Sequence, residues 1–180
     1  MLELNYSLTK EDYIDYNVYT LWSAPFNKKS RAKIYFKLLG FFLLFALVWL
    51  FSISFSWISI TMFAVFSLFV VLRIPQIQKK AIINKVEKLF LKEENQALLG
   101  PKTVTFSDTG IHVKSELSES RQQWKSITRR TENEKLYFLY TSSIQALIIP
   151  KRIMRNSEQK AAFEKILNQN ISLQAEFEAD

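Results

Sequence analysis

Between Leu38 and Leu72 the chain runs for about 35 residues with no charged side chain, no proline and one glycine, Gly40. About 23 of these residues are Leu, Ile, Phe or Val. A run of roughly 18 apolar residues already marks a candidate membrane span. Each such side chain favours insertion by about 0.3–0.6 kcal/mol at the bilayer centre. A buried helix pair in a water-soluble core is the competing arrangement, but it needs a polar face, and this run has none.

The length selects two crossings over one. A single helix of about 35 residues is about 52 Å long, against a hydrocarbon core of about 30 Å. Tilt alone would have to reach roughly 55°, beyond the usual range of about 0–40°. A tight hairpin fits, with its turn expected near Phe51 to Ser59, where Ser52, Ser54, Ser56 and Ser59 dilute the apolar run. Trp49 and Trp57 bracket that turn and suit the far interface. The spans are expected at about 34–53 and 56–77, inside a hairpin segment 34–77. Lys37 and Arg73 then snorkel to the near interface.

Charge orients the hairpin. Residues 27–37 carry Lys28, Lys29, Arg31, Lys33 and Lys37 with no acid, and residues 73–92 carry Arg73, Lys79, Lys80, Lys85, Lys88 and Lys92 against Glu87. Residues 1–26 are net acidic and residues 93–180 are balanced, so the formal net charge of +7 sits beside the apolar run, on both sides of it. Positive charge marks the cytoplasmic end of a span. Two basic ends require an even number of crossings and place both termini in the cytoplasm. Juxtamembrane lysines facing anionic headgroups account for the basic balance, so nucleic acid is not the expected partner. No signal peptide is expected before the hairpin, because the first 26 residues are acidic and polar.

The flanks read as follows. In segment 1–33, Leu2, Leu4, Tyr6 and Leu8 alternate with polar residues as in a half-buried strand. Thr9 and Asp12 form a capping-box-like start for a helix from Lys10 to about Ser23, ending before Pro25. Its aromatics Tyr13, Tyr16, Tyr19 and Trp22 recur every three residues. They suit either a headgroup boundary or packing on the polar domain. Segment 78–99 reads as a basic amphipathic connecting helix, with Pro75 kinking or restarting the chain before it. Lys85, Lys88 and Lys92 on one face fit a helix along the membrane surface or a solvated stalk.

From Gly100-Pro101 the texture changes to short strands. They are expected at Val104–Phe106, at Ile111–Val113 after the Ser107-Asp108-Thr109-Gly110 turn, at Arg121–Lys125, at Leu136–Tyr140 and at Ile144–Ile149, with Ile127–Arg130 a further short strand or a bend. Asn156 caps a last helix carrying Phe163, Ile166 and Leu167, and the tail 171–180 is expected to fray. The expected fold class is thus α+β: a two-helix transmembrane hairpin plus a small antiparallel barrel or sandwich, residues 100–170, capped by a helix. The N-terminal strand can complete the same sheet, which makes the hairpin an insertion.

No catalytic constellation is visible, so an enzyme is not expected. His112 is the single histidine and cysteine is absent, so no metal or other cofactor is expected. Trp124 reads as core. Arg129, Arg130, Lys151, Arg152 and Arg155 are the candidate contacts for a headgroup phosphate or an acidic partner, with ordinary solvated surface as the alternative. The juxtamembrane candidates are Lys28, Lys29, Arg31, Lys33, Lys37, Arg73, Lys79 and Lys80.

The pieces VTFSDTGIHVKSE, RQQWKSI, YFLYTSSIQALIIPKRIM and NSEQKAAFEKIL resemble the YcxB-like family of bacterial membrane proteins, as do the N-terminal YSLTKEDYIDYNVY and the paired apolar spans. The resemblance implies a pleckstrin-homology-like (PH-like) C-terminal domain and a two-span, multi-pass protein of the bacterial inner membrane. It implies no activity. Where the family tends to carry an aromatic after Pro-Lys-Arg, this chain has Ile153 and Met154. The expected role is a membrane-anchored cytoplasmic adaptor for a protein, peptide or lipid headgroup, with homo-oligomers possible. The alternative is an accessory subunit of a transporter or channel complex.

Overall fold

The structure, a computed structural model, describes residues 1–52, 56–116, 118–154 and 156–171. Among the described residues four α-helices and seven strands run in the order β1 (Leu2–Ser7), α1 (Lys10–Val18), α2 (Lys28–Ser52), α3 (Trp57–Phe90), β2 (Pro101–Ser107), β3 (Gly110–Ser115), β4 (Glu119–Gln122), β5 (Arg129–Glu132), β6 (Leu136–Tyr140), β7 (Ala146–Pro150) and α4 (Ser157–Asn170). The hairpin turn expected near Phe51 to Ser59 falls partly on residues 53–55, outside the described residues, as do Arg155 and most of the tail.

The strands form two antiparallel sheets, ordered β1-β2-β3-β4 and β5-β6-β7. The expected barrel does not close: among the described residues no strand of one sheet pairs with a strand of the other. The reason is local. β4 stops at Gln122, earlier than the strand expected to reach Lys125, and Trp124–Ser126 forms a 3-10 turn. There the Trp124 indole N–H donates to the Ser107 carbonyl at 2.8 Å. The chain leaves the first sheet at this anchored turn, and β5 begins at Arg129, two residues later than expected.

β1 joins β2 with Leu4 opposite Val104 and Tyr6 opposite Lys102. The N-terminal strand is therefore the first strand of the sheet that holds the C-terminal strands, and α2 and α3 are an insertion between α1 and β2. The turn into β3 uses Gly110, whose φ is +151°; a Cβ there would lie 2.2 Å from the Gln122 carbonyl oxygen. Only glycine accommodates both.

The core explains β6. Its five residues Leu136–Tyr140 are all buried, although a strand with one wet face alternates. Tyr137 packs edge-on against Phe163 of α4, and Phe163 against Phe106 of β2. On the opposite face Phe138 receives Tyr16 and stacks with Tyr19, and Tyr140 meets Phe26. β6 is thus covered by α4 and the first sheet on one side, and by α1 and the residues after it on the other. The α1 aromatics pack on the domain. Tyr13 lies against Phe90 of α3 at 5.1 Å, and Lys10 pairs with Glu87 at 3.5 Å.

α2 and α3 are long and apolar enough to cross a membrane. Many of their large apolar side chains, including Phe41, Leu43, Leu44, Val65, Phe66 and Leu68, are more than half exposed. α3 runs unbroken through Pro75 to Phe90, so no separate connecting helix forms. Residues Glu93–Leu99 continue as 3-10 turns and not as the α-helix expected there.

Candidate functional site

The basic residues of the domain are held by different partners. Arg152, in the 3-10 turn after β7, makes a fork to Asp12 of α1 with both N–H···O distances 2.6 Å, and also donates to the Ser7 carbonyl at 3.2 Å. Asp12 is 5% exposed. Its Oδ2 also accepts from the Thr9 backbone N–H at 2.8 Å, and the Thr9 hydroxyl accepts from the Asp12 N–H at 3.1 Å, completing the capping box. Burial alone would raise the carboxyl's pKa. The hydrogen bonds from Arg152 and Thr9 outweigh it and hold the group below the usual carboxylate range.

Lys151 pairs with Glu132 at 2.9 Å and lies over the Tyr137 ring. Arg130 donates to the Asn168 side chain of α4 at 2.6 Å. Lys135, which charge patterning did not single out, pairs with Asp15 of α1 at 2.9 Å. Asp12, Asp15 and Lys10 therefore fasten one short helix to the β domain at two points and to α3 at a third. The sequence signal was half visible: Asp12 stands at a capping position, but its 140-residue partner did not.

Arg129 differs. Its guanidinium carbon stacks 3.6 Å from the Phe26 ring centroid and 4.8 Å from that of Tyr140. Its Nε is buried without a hydrogen-bond partner among the described residues. Around it the entry to α2 is fixed. The Tyr140 hydroxyl, its pKa pushed up to about 12 chiefly by burial, lies 2.6 Å from that of Thr20. The Asn27 amide donates to the Thr20 carbonyl at 2.6 Å, and Arg31 donates to the carbonyls of Trp22 and Ala24.

Of the juxtamembrane set, Lys28, Lys29, Lys33, Lys37, Lys79 and Lys80 are exposed. Arg73 covers the Phe69 ring at 5.1 Å and donates to Gln76 at 2.8 Å. Between α2 and α3 lies an apolar groove of about 750 Å³, lined by Tyr35, Leu39 and Phe42 on one side and Phe63, Ser67 and Val71 on the other. The Ser67 hydroxyl is buried there with no partner among the described residues. His112 sits 2.7 Å from Glu119 across the β3–β4 ladder, and Trp124 is buried against Phe106.

No curated protein and no solved structure gives a significant match to the chain. The model of the family described as YcxB-like protein does match, over residues 106–167, from Phe106 in β2 to Leu167 in α4, so the C-terminal region of this chain is similar to that family.

Proposed function

We propose that this protein is a membrane-anchored adaptor of the bacterial inner membrane. In this reading α2 and α3 cross the bilayer, both termini are cytoplasmic, and a PH-like domain stands on the cytoplasmic face to bind a protein, a peptide or a lipid headgroup. The observation that carries it is the pairing of two unsheathed apolar helices with a domain clamped to their base. The exposed leucines and phenylalanines of α2 and α3 form an apolar surface far larger than a water-soluble monomer keeps wet. Lipid is the solvent that suits them. Four- and three-stranded antiparallel sheets closed by α4 support the PH-like assignment.

The clamp gives the anchor its use. α1 holds α3 through Lys10 and Tyr13, and the β domain through Asp12, Asp15, Tyr16 and Tyr19. A domain so fixed presents one surface to the membrane and the rest to the cytoplasm, which is what an adaptor needs. Two measurements test this. Alkaline carbonate washing of cell membranes should leave the chain in the pellet, and reporters fused at residues 1 and 180 should both register cytoplasm. Release into the supernatant, or reporters on opposite sides, refutes the anchor. Crosslinking and pulldown of the full chain from native membranes should return a cytoplasmic or peripheral partner.

The groove beside Ser67 favours a second reading, an accessory subunit whose hairpin packs against a helix of a larger membrane complex. Small side chains and a hydroxyl at such a seam suit helix association in lipid. A stoichiometric multi-span partner in the same pulldown would select it over the adaptor.

A further inference from the structure

We infer that the acidic segment 172–180, which follows α4, lies as an added strand along the open edge of β5. The inference goes beyond the adaptor reading and stands whether or not α2 and α3 cross a bilayer.

The first argument is the edge. β5 is the outermost strand of its sheet, and among the described residues no strand pairs with its far side. Such an edge presents backbone N–H and C=O groups that another chain segment can satisfy. The other outer strands suit a docked segment less. At β1 the Ser7 carbonyl is taken by Arg152, and at β7 the Ile148 carbonyl is taken by the Tyr6 hydroxyl. β4 is exposed at Glu119, Ser120 and Arg121 and offers no apolar side chain. β5 also stands beside the end of α4, where Arg130 donates to Asn168 at 2.6 Å.

The second argument is how the chain leaves α4. Ile171 has extended backbone angles, φ −125° and ψ 108°, and its side chain is buried in the core. From Ile171 onward the sequence is Ile-Ser-Leu-Gln-Ala-Glu-Phe-Glu-Ala-Asp. Apolar and polar residues alternate, which is the period of a strand with one dry face. Ile171 sets the phase: in a strand, Leu173, Ala175 and Phe177 fall on the side that Ile171 already buries, and Gln174, Glu176 and Glu178 on the other. Residues 172–180 reach about 30 Å when extended, and the four residues of β5 need about 13 Å.

Charge agrees with the placement. Residues 121–131 carry Arg121, Lys125, Arg129 and Arg130 and no acid, whereas residues 172–180 carry Glu176, Glu178 and Asp180 and no base. Opposite charge steers the segment to this side of the domain. Seated there, it closes the β5 edge to any partner that would add a strand of its own.

The test is hydrogen exchange on the full-length protein in mild micelles, read by mass over short peptides. Amides of residues 173–178 should exchange at least about tenfold slower than in a free peptide of the same sequence. In L173S/F177S they should return to the free-peptide rate, and the amides of Arg129–Glu132 should exchange faster. β2 and β3 should keep their rates in that variant, which separates lost docking from general unfolding. A chain ending at Ile171 should show the same opened β5. A synthetic peptide of residues 172–180 should restore its protection saturably, and a scrambled peptide of the same composition should not. Tail amides at the free-peptide rate in the wild type overturn the inference. So does protection that survives L173S/F177S, or a change confined to Glu119–Gln122 in place of Arg129–Glu132. Protection that vanishes on dilution also overturns it, because the segment would then sit on a second copy.

Discussion

The fork between Asp12 and Arg152 joins residues on either side of the hairpin, and cutting it from its two ends should not cost the same. The Asp12 side chain is 7% exposed and that of Arg152 is 48% exposed. In R152M the carboxylate stays buried, left with only the Thr9 backbone N–H. Breaking a fully buried pair this way costs about 3–5 kcal/mol. The exposure of Arg152 and the retained cap reduce that to about 2–3 kcal/mol. In D12N the guanidinium turns to water and the amide oxygen still serves Thr9, so the cost is about 1–2 kcal/mol. The double variant should cost less than the two singles added, by about 1 kcal/mol or more.

The same pair predicts a pH dependence. Asp12 has its pKa lowered in the folded state, so its contribution is complete above the unfolded value of about 3.9 and is lost as pH falls through the folded pKa. In R152M burial is no longer opposed by the guanidinium, the folded pKa rises above the unfolded one, and that variant loses stability as pH rises through it. The gap between wild type and R152M should therefore widen from about pH 3 to pH 7. Urea titration of the full-length protein in mild micelles, followed by the fluorescence of Trp22 and Trp124 over the background of Trp49 and Trp57, measures it. Equal costs for the two singles with strict additivity, or a gap that does not change with pH, refutes the account.

Three further outcomes are expected. F163A removes a fully buried ring from between Phe106 and Tyr137 and should cost about 4 kcal/mol in the same titration, whereas I144S at an exposed loop position should fall within about 0.5 kcal/mol of wild type. G110A forces a side chain to 2.2 Å from a carbonyl at a positive φ and should cost more than about 2 kcal/mol, with rising protease sensitivity at the β2–β3 turn. L43R, on an exposed face of α2, should oppose insertion by about 3 kcal/mol and lower the fraction inserted in a glycosylation-reporter assay, while L43I should leave it unchanged.

The two long apolar helices were legible because a charge-free run of this length carries its signal residue by residue. The capping box at Thr9 and Asp12, the turn at Gly110 and the Asn156 cap on α4, whose side chain accepts from the Gln159 N–H at 2.7 Å, were legible for a similar reason: each is satisfied within about four residues. Other boundaries were less so. Pro75 reads as a kink or a restart, yet α3 does not restart there and runs on to Phe90, since one missing N–H in a long helix does not by itself end it. β4 stopped short of Trp124 because a long-range bond to Ser107, 17 residues back, outweighed local strand propensity.

By itself the amino-acid order determined the number of apolar helices, the basic collar around them and the helix caps, because hydropathy, charge and capping act over one or a few turns. Tertiary structure alone decided that Tyr16 and Tyr19 lie on β6, that Asp12 answers Arg152 across 140 residues, and that Arg129 is left with rings and no acid. These outcomes depend on which side chains meet when two sheets and a helix close on one another. An arginine reads the same in sequence whether the fold brings it a carboxylate or leaves its fork open.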